Sequence, residues 1–163
     1  MNGENKSEKN EELPYRKGVH AIVLDESNNI LLVQKQIYGD SQWDFPGGGV
    51  DEGEKPKDAV LRELKEELGS NAFEIVRKSP FIDRFEWPKE AQQRGFDKHG
   101  KWWRGQEKHQ FITRFTGNKD EIIIQNDEIR KISWVPYSEL EKFLIFEGQW
   151  ENAKKVLDDS ELF

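Results

Sequence analysis

Residues 47–69, GGGVDEGEKPKDAVLRELKEELG, constrain the fold of this chain more than any other stretch. Pro56 suits the first turn of a helix, where an N–H would have no partner anyway. Val60, Leu61, Leu64 and Leu68 recur at helical spacing and form an apolar stripe. Gly69 stands where a left-handed residue closes a helix. The spacing predicts a helix over 56–68, entered from a stretch in which Pro46 and three glycines end any regular element. At about 100° per residue, Glu63, Glu66 and Glu67 share one sector of that helix, roughly 120° round from the stripe. Like charges at this spacing repel by roughly 0.2–0.5 kcal/mol per pair. Either water screens them, or they converge on a cation.

The surrounding chain frames that choice. The 163 residues suit one domain with a sizeable core. Residues 1–13 are polar and predict a disordered leader, with the folded domain over 14–163. The runs Val19–Leu24 and Ile30–Val33, joined by DESNN, predict a hairpin. AFEIVRKSPFIDRFEW reads as one or two strands, HQFITRFTG as a strand, and EIIIQ and KISWV as short strands. Residues 88–105 are polar with three glycines and read as a long loop. PYSELEKFL and GQWENAKKVL read as helices, the first with Ser138 as N-cap and Glu141 three residues on. The sum is an α/β fold, a mixed β-sheet with two or three helices.

Composition excludes some classes of function. There is no cysteine, hence no disulfide, thiolate metal site or cysteine nucleophile. The net charge of −7 argues against non-specific binding along a nucleic-acid backbone, though not against one anionic end group held through a metal and a few local cations. No apolar run approaches the ~20 residues of a membrane span, and the first residues have no apolar signal core. A cytoplasmic protein without membrane attachment is expected.

RELKEEL alone is an ordinary surface-helix composition. Its setting is not ordinary. Gly48 is followed at fixed spacings by Glu54, Arg62-Glu63-Leu64, Glu66-Glu67 and Gly69. This resembles the Nudix box, the signature of the Nudix hydrolases, with Ser70 as the one departure, where the family has an aliphatic residue. The resemblance implies an α/β/α sandwich in which the box forms a loop–helix–loop. It implies hydrolysis of a nucleoside diphosphate linked to another group, with Mg²⁺ or Mn²⁺ and water attack on phosphorus. By position, Glu63, Glu66, Glu67 and the carbonyl of Gly47 would hold metal, and Arg62 and Glu54 would orient the glutamates.

Beyond the box, YRKGV, WDFPGGGVDEGE, WRGQEKHQFITRFTG and NDEIRKISWV are similar to the Nudix branch of RNA pyrophosphohydrolases and plant-type diadenosine polyphosphate hydrolases. That branch implies phosphate contact by Arg16, a site-lining strand with Gln106 and Phe111, and a metal ligand or general base at Glu128. Lys35 is a further candidate for phosphate contact. Trp103 and Arg104 offer a stacking ring and a cation to a nucleotide. The implied substrate is a dinucleoside polyphosphate or a 5′-triphosphorylated RNA. The branch reads FPQGG and Lys-Trp where this chain has Phe45-Pro46-Gly47-Gly48-Gly49 and His109-Gln110. ADP-ribose, nucleotide sugars and oxidised nucleoside triphosphates therefore stay open, as does a module that only senses a nucleotide.

Overall fold

The computed structural model describes residues 12–125 and 127–163. The expected leader lies outside the described residues except for its last two positions. Among the described residues, seven strands form one mixed sheet: β1 (Tyr15–Leu24), β2 (Ile30–Lys35), β3 (Gly47–Gly49), β4 (Phe73–Lys78), β5 (Asp83–Glu86), β6 (Gly105–Phe115) and β7 (Ile129–Val135). The order is β4-β6-β1-β2-β7, with β3 added to β1 and β5 to β6. β1 and β6 run parallel from Tyr15 opposite Gly105 to Leu24 opposite Arg114, and form the spine of the sheet. The predicted hairpin is present as β1–β2. Its turn is held by Asp25, whose side chain accepts from the amides of Ser27 and Asn29 at 2.9 and 2.8 Å.

The four helices among the described residues are α1 (Pro56–Leu68), α2 (Lys89–His99), α3 (Tyr137–Phe143) and α4 (Gln149–Asp159). None is long and apolar enough to cross a membrane. α1 has the predicted bounds, with Pro56 in its first turn and Gly69 left-handed at its end. Val60, Leu64 and Leu68 are wholly buried, each worth roughly 1.5–3 kcal/mol. Leu61 is 38% exposed and lies off the stripe, and Ala59 joins the buried face instead. That face packs on Val19, Ala21, Val23, Leu31 and Val33 of the sheet. Alternate residues of the same strands, Ile22, Leu24, Ile30 and Leu32, meet Leu140, Ala153, Val156 and Leu157 of α3 and α4 on the other face. The result is the expected α/β/α sandwich.

Four local expectations differ from the structure. Gly47–Gly49 is a short strand, because β1 offers it a backbone partner. Residues 88–105 contain α2; this helix buries only Gly95, so it has no apolar stripe to read, although Pro88 and the left-handed Gly100 bracket it. EIIIQ is no strand. A 3₁₀ turn at Lys119–Glu121 takes in its first residue, and the amides of Ile123 and Gln125 bond the last-turn carbonyls of Leu68 and Glu67 in α1. α3 starts two residues earlier than expected, with Pro136 rather than Ser138 at its cap.

The second face also buries charge. His20 of β1 has its Nε2 2.7 Å from the ammonium of Lys108 in β6 and 3.6 Å from Asp44. Burial, reinforced by Lys108, pulls the imidazole down to about 3 from its ordinary 6.5, against the attraction of Asp44. The folded chain thus resists a proton that the unfolded chain accepts. Stability from neutral His20 is complete above the ordinary value and is lost as pH falls towards the folded value. Denaturant midpoints should therefore fall between about pH 7 and about pH 5, at up to about 1.4 kcal/mol per pH unit for this one group. His20→Gln should show a shallower fall in the same titration; an unchanged slope would remove His20 as the cause.

Candidate active site

β3 lies antiparallel to β1, with Gly48 opposite Val19 and Gly47 opposite His20, and so carries the glycine loop to the acidic side of α1. A β-carbon at Gly48 would collide with the carboxyl group of Glu63, and one at Gly49 with the guanidinium of Arg16. Glycine lets a carboxylate and a guanidinium lie directly against one short backbone segment.

Two of the three carboxylates in the acidic sector of α1 are withdrawn from solvent. Glu63 and Glu67 are 8% and 2% exposed. One carboxylate oxygen from each of Glu63, Glu67 and Glu128 lies within 4.8 Å of the others. Glu128 reaches this group because its carbonyl accepts from Gln36 N at 2.9 Å, just past the end of β2. The amide of Gly47 donates to Glu67 Oε2 at 3.3 Å. Burial pushes the Glu67 carboxyl up to about 8; Lys35 opposes this, while Glu63 and Glu128 reinforce it. Burial also raises Glu63, against Arg62. Three crowded carboxylates, all oxygen donors, fit a hard divalent cation.

Arg62 ties the loop to the helix. Its Nε and Nη2 donate to the two oxygens of Glu54 at 2.8 and 2.9 Å, a paired, charge-assisted contact. Nη2 also donates to the Gly49 carbonyl at 2.9 Å, and Nη1 to Glu63 at 3.0 Å and Glu66 at 3.2 Å. The bond to Glu54 chiefly raises the Arg62 pKa and holds the Glu54 carboxyl below its usual range. Glu66 has a half-exposed side chain and stands outside the group of three carboxylates. It lines an open cavity of about 630 Å³ together with Arg62, Lys65, Gln125, Asp127 and Glu128.

Two cations flank these carboxylates. Burial pulls the Lys35 pKa down, but Tyr38, Asp44, Glu67 and Glu128 outweigh it and the net shift is upward. Arg16 lies against Gly49 and over the ring of Trp103, 5.4 Å from its centroid. Gln106, opposite Arg16 in the β1–β6 pairing, is buried next to Gly18. Arg104 points elsewhere: it pairs with Glu86 and lies over Tyr15.

The NUDIX domain family matches residues 14–159. The chain is 34% identical over 143 residues to an RNA pyrophosphohydrolase of Rickettsia africae (strain ESF-5), covering 86% of this chain and 87% of that protein. It is 32% identical over 142 residues to Nudix hydrolase 26, chloroplastic, of Arabidopsis thaliana, covering 87% of this chain and 65% of that protein. The crystal structure of an ADP-ribose pyrophosphatase from Streptococcus suis 89-1591 superposes with a TM-score of 0.60 at 26% identity, over 90% of this chain and 92% of that one. The chain belongs to the Nudix hydrolase family.

In this Nudix hydrolase the box glutamates do not act as one uniform face. Glu63 and Glu67 turn inward with Glu128, while Glu66 stands at the rim beside Arg62. The site also rests on residues to which the sequence draws no attention. Asp44 accepts from the amide of Phe45 at 2.7 Å and from Gln149 of α4 at 3.3 Å, and lies near Lys35, His20 and Lys108. No spacing rule links these positions; only strand register does.

Gly48→Ala should force the Glu63 carboxylate aside. Misplacement of this kind costs turnover up to about 10²-fold, with far less effect on the melting temperature. Steady-state phosphate release and thermal melts of the variant test this; turnover within about twofold of wild type would mean that Glu63 needs no such approach.

Proposed function

We propose that this Nudix hydrolase cleaves a phosphoanhydride in a dinucleoside polyphosphate or a 5′-triphosphorylated RNA end, acting with Mg²⁺ or Mn²⁺. The observation that carries this reading is the convergence of Glu63, Glu67 and Glu128 beside a glycine loop flanked by Arg16 and Lys35. Glu63, Glu66, Glu67 and the Gly47 carbonyl would hold the cation, with Glu128 as a further ligand or as the base. The bound cation supplies charge neutralisation at phosphoryl oxygens.

This chain's own residues do the rest. Arg62 and Glu54 keep the glutamates in register. Arg16 and Lys35 bind the phosphate chain, and Gln106 lines its path. As the base, Glu128 would take a proton from the water that attacks phosphorus. The anhydride P–O bond breaks, and both products leave as phosphorylated species. Phosphoryl transfer needs chiefly such positioning and charge neutralisation. With a net charge of −7, RNA would be held by its 5′ end rather than along its length. The domain carrying this activity is residues 14–163, in keeping with the extent of the family match.

The name of the Rickettsia relative supports the RNA or polyphosphate reading. Phe45-Pro46-Gly47-Gly48-Gly49 and the likeness to an ADP-ribose pyrophosphatase support a second reading, ADP-ribose as substrate. Specificity constants for diadenosine tetraphosphate, triphosphorylated RNA, ADP-ribose, a nucleotide sugar and an oxidised nucleoside triphosphate decide between them. The polyphosphates should lead; a higher value for ADP-ribose than for every polyphosphate would overturn the first reading.

Glu67→Gln should lower turnover by about 10²-fold or more, as loss of a charge-stabilising group does. Millimolar Mg²⁺ should raise the wild-type melting temperature relative to chelator at matched ionic strength, because only the folded chain gathers the ligands. The shift should shrink in Glu67→Gln. An equal shift in both proteins would place the cation elsewhere.

A further inference from the structure

Arg16 is a partly exposed cation that, among the described residues, makes no ion pair, although Glu63 and Asp51 act on it from a distance. What holds it is aromatic. Its guanidinium carbon lies 5.4 Å from the centre of the Trp103 ring. Trp103 is fixed in turn by Trp87, edge-on at 6.4 Å and 88°, and by His99 at 5.5 Å and 69°. Gly95, the buried residue of α2, lets the helix sit on these rings: a β-carbon there would come within 3.1 Å of Trp87 and 3.6 Å of Trp103. The hairpin connection between β5 and β6, residues 87–104, is closed at its base by Trp87 N to the Arg104 carbonyl at 3.0 Å and by the Gln92 side chain, which donates to the carbonyls of both residues. Arg104 N bonds the Pro14 carbonyl at 2.9 Å, which ties the hairpin to the chain just ahead of Arg16.

We infer that the hairpin of residues 87–104 is an aromatic bracket that aims Arg16 at the glycine loop, with Trp103 as its positioning residue. This rests on the proposed contact of Arg16 with substrate phosphate. Trp103 offers its ring to Arg16 rather than to a base. An arginine stacked on a ring and free of carboxylate contact keeps its donors for an arriving anion. Without the ring, the guanidinium would turn towards Glu63 or Asp51, which already attract it.

A double-mutant cycle tests this with diadenosine tetraphosphate and a short 5′-triphosphorylated RNA as substrates. Trp103→Ala should lower kcat/KM by about 3- to 30-fold, the span of a cation–π contact. In an Arg16→Ala background the same change should cost less than about twofold, because its effect runs through Arg16. Trp103→Phe should restore most of the loss. Trp103→Leu fills the space without a π face and should not, and this pair gives the same contrast if the alanine variant unfolds. Equal losses in both backgrounds, or full activity of Trp103→Leu, would overturn the bracket while leaving the Arg16 contact intact. Unchanged kcat/KM in Arg16→Ala would overturn both.

Discussion

The guanidinium of Arg62 is the contact on which the rest of the site depends. Its two edges reach Glu54 in the loop, the Gly49 carbonyl in β3, and Glu63 and Glu66 on its own helix. A lysine could not meet this pattern, since a single ammonium has no planar fork. Each acceptor is charged or a backbone carbonyl, so the bonds belong to the stronger class. They fix the distance between a loop and a helix that would otherwise repel through their carboxylates. Glu67 receives no such help from Arg62. Its burial is opposed by Lys35 and by the Gly47 amide, and the net effect pushes its carboxyl up to about 8.

The sheet beneath makes this arrangement rigid. β1 and β6 pair in parallel along their whole length, and Gln110 and Asn152 exchange amide bonds at 2.7 and 3.0 Å between β6 and α4. Asp44 sits where this second face meets the glycine loop, bonded through Gln149 to α4 and lying close to His20. The cluster of His20, Lys108 and Asp44 is costly to bury: the Lys108 ammonium meets a neutral ring nitrogen at 2.7 Å, and burial pulls it down to about 8 against the attraction of Asp44. Its location directly behind β3 joins the loop to both layers of the sandwich.

Much of the site was legible because its signals are local. Pro56, the 3.6-residue stripe and Gly69 define α1 without reference to the rest of the chain, and the box spacing along it points to Glu63, Glu66, Glu67, Arg62 and Glu54. α2 was missed because the usual signal, an apolar stripe, is absent from a helix that buries one glycine. EIIIQ misled for the opposite reason. Its β-branched run predicts a strand, yet its amides satisfy the free carbonyls at the end of α1.

The sequence by itself determined the family, the reaction class, the bounds of α1 and the residues of its acidic sector. These follow from short-range rules of helix period, end residues and fixed spacing. The branch resemblance already pointed to Glu128; only the tertiary structure decided that it lies with Glu63 and with Glu67, sixty-one positions before it, while Glu66 stands at the rim. It also decided that Trp103 faces Arg16, that Arg104 is engaged with Glu86, and that His20 meets Lys108. Those contacts depend on which strands pair and in what register. Register is settled by burial across the whole sheet, and no short window of sequence contains it.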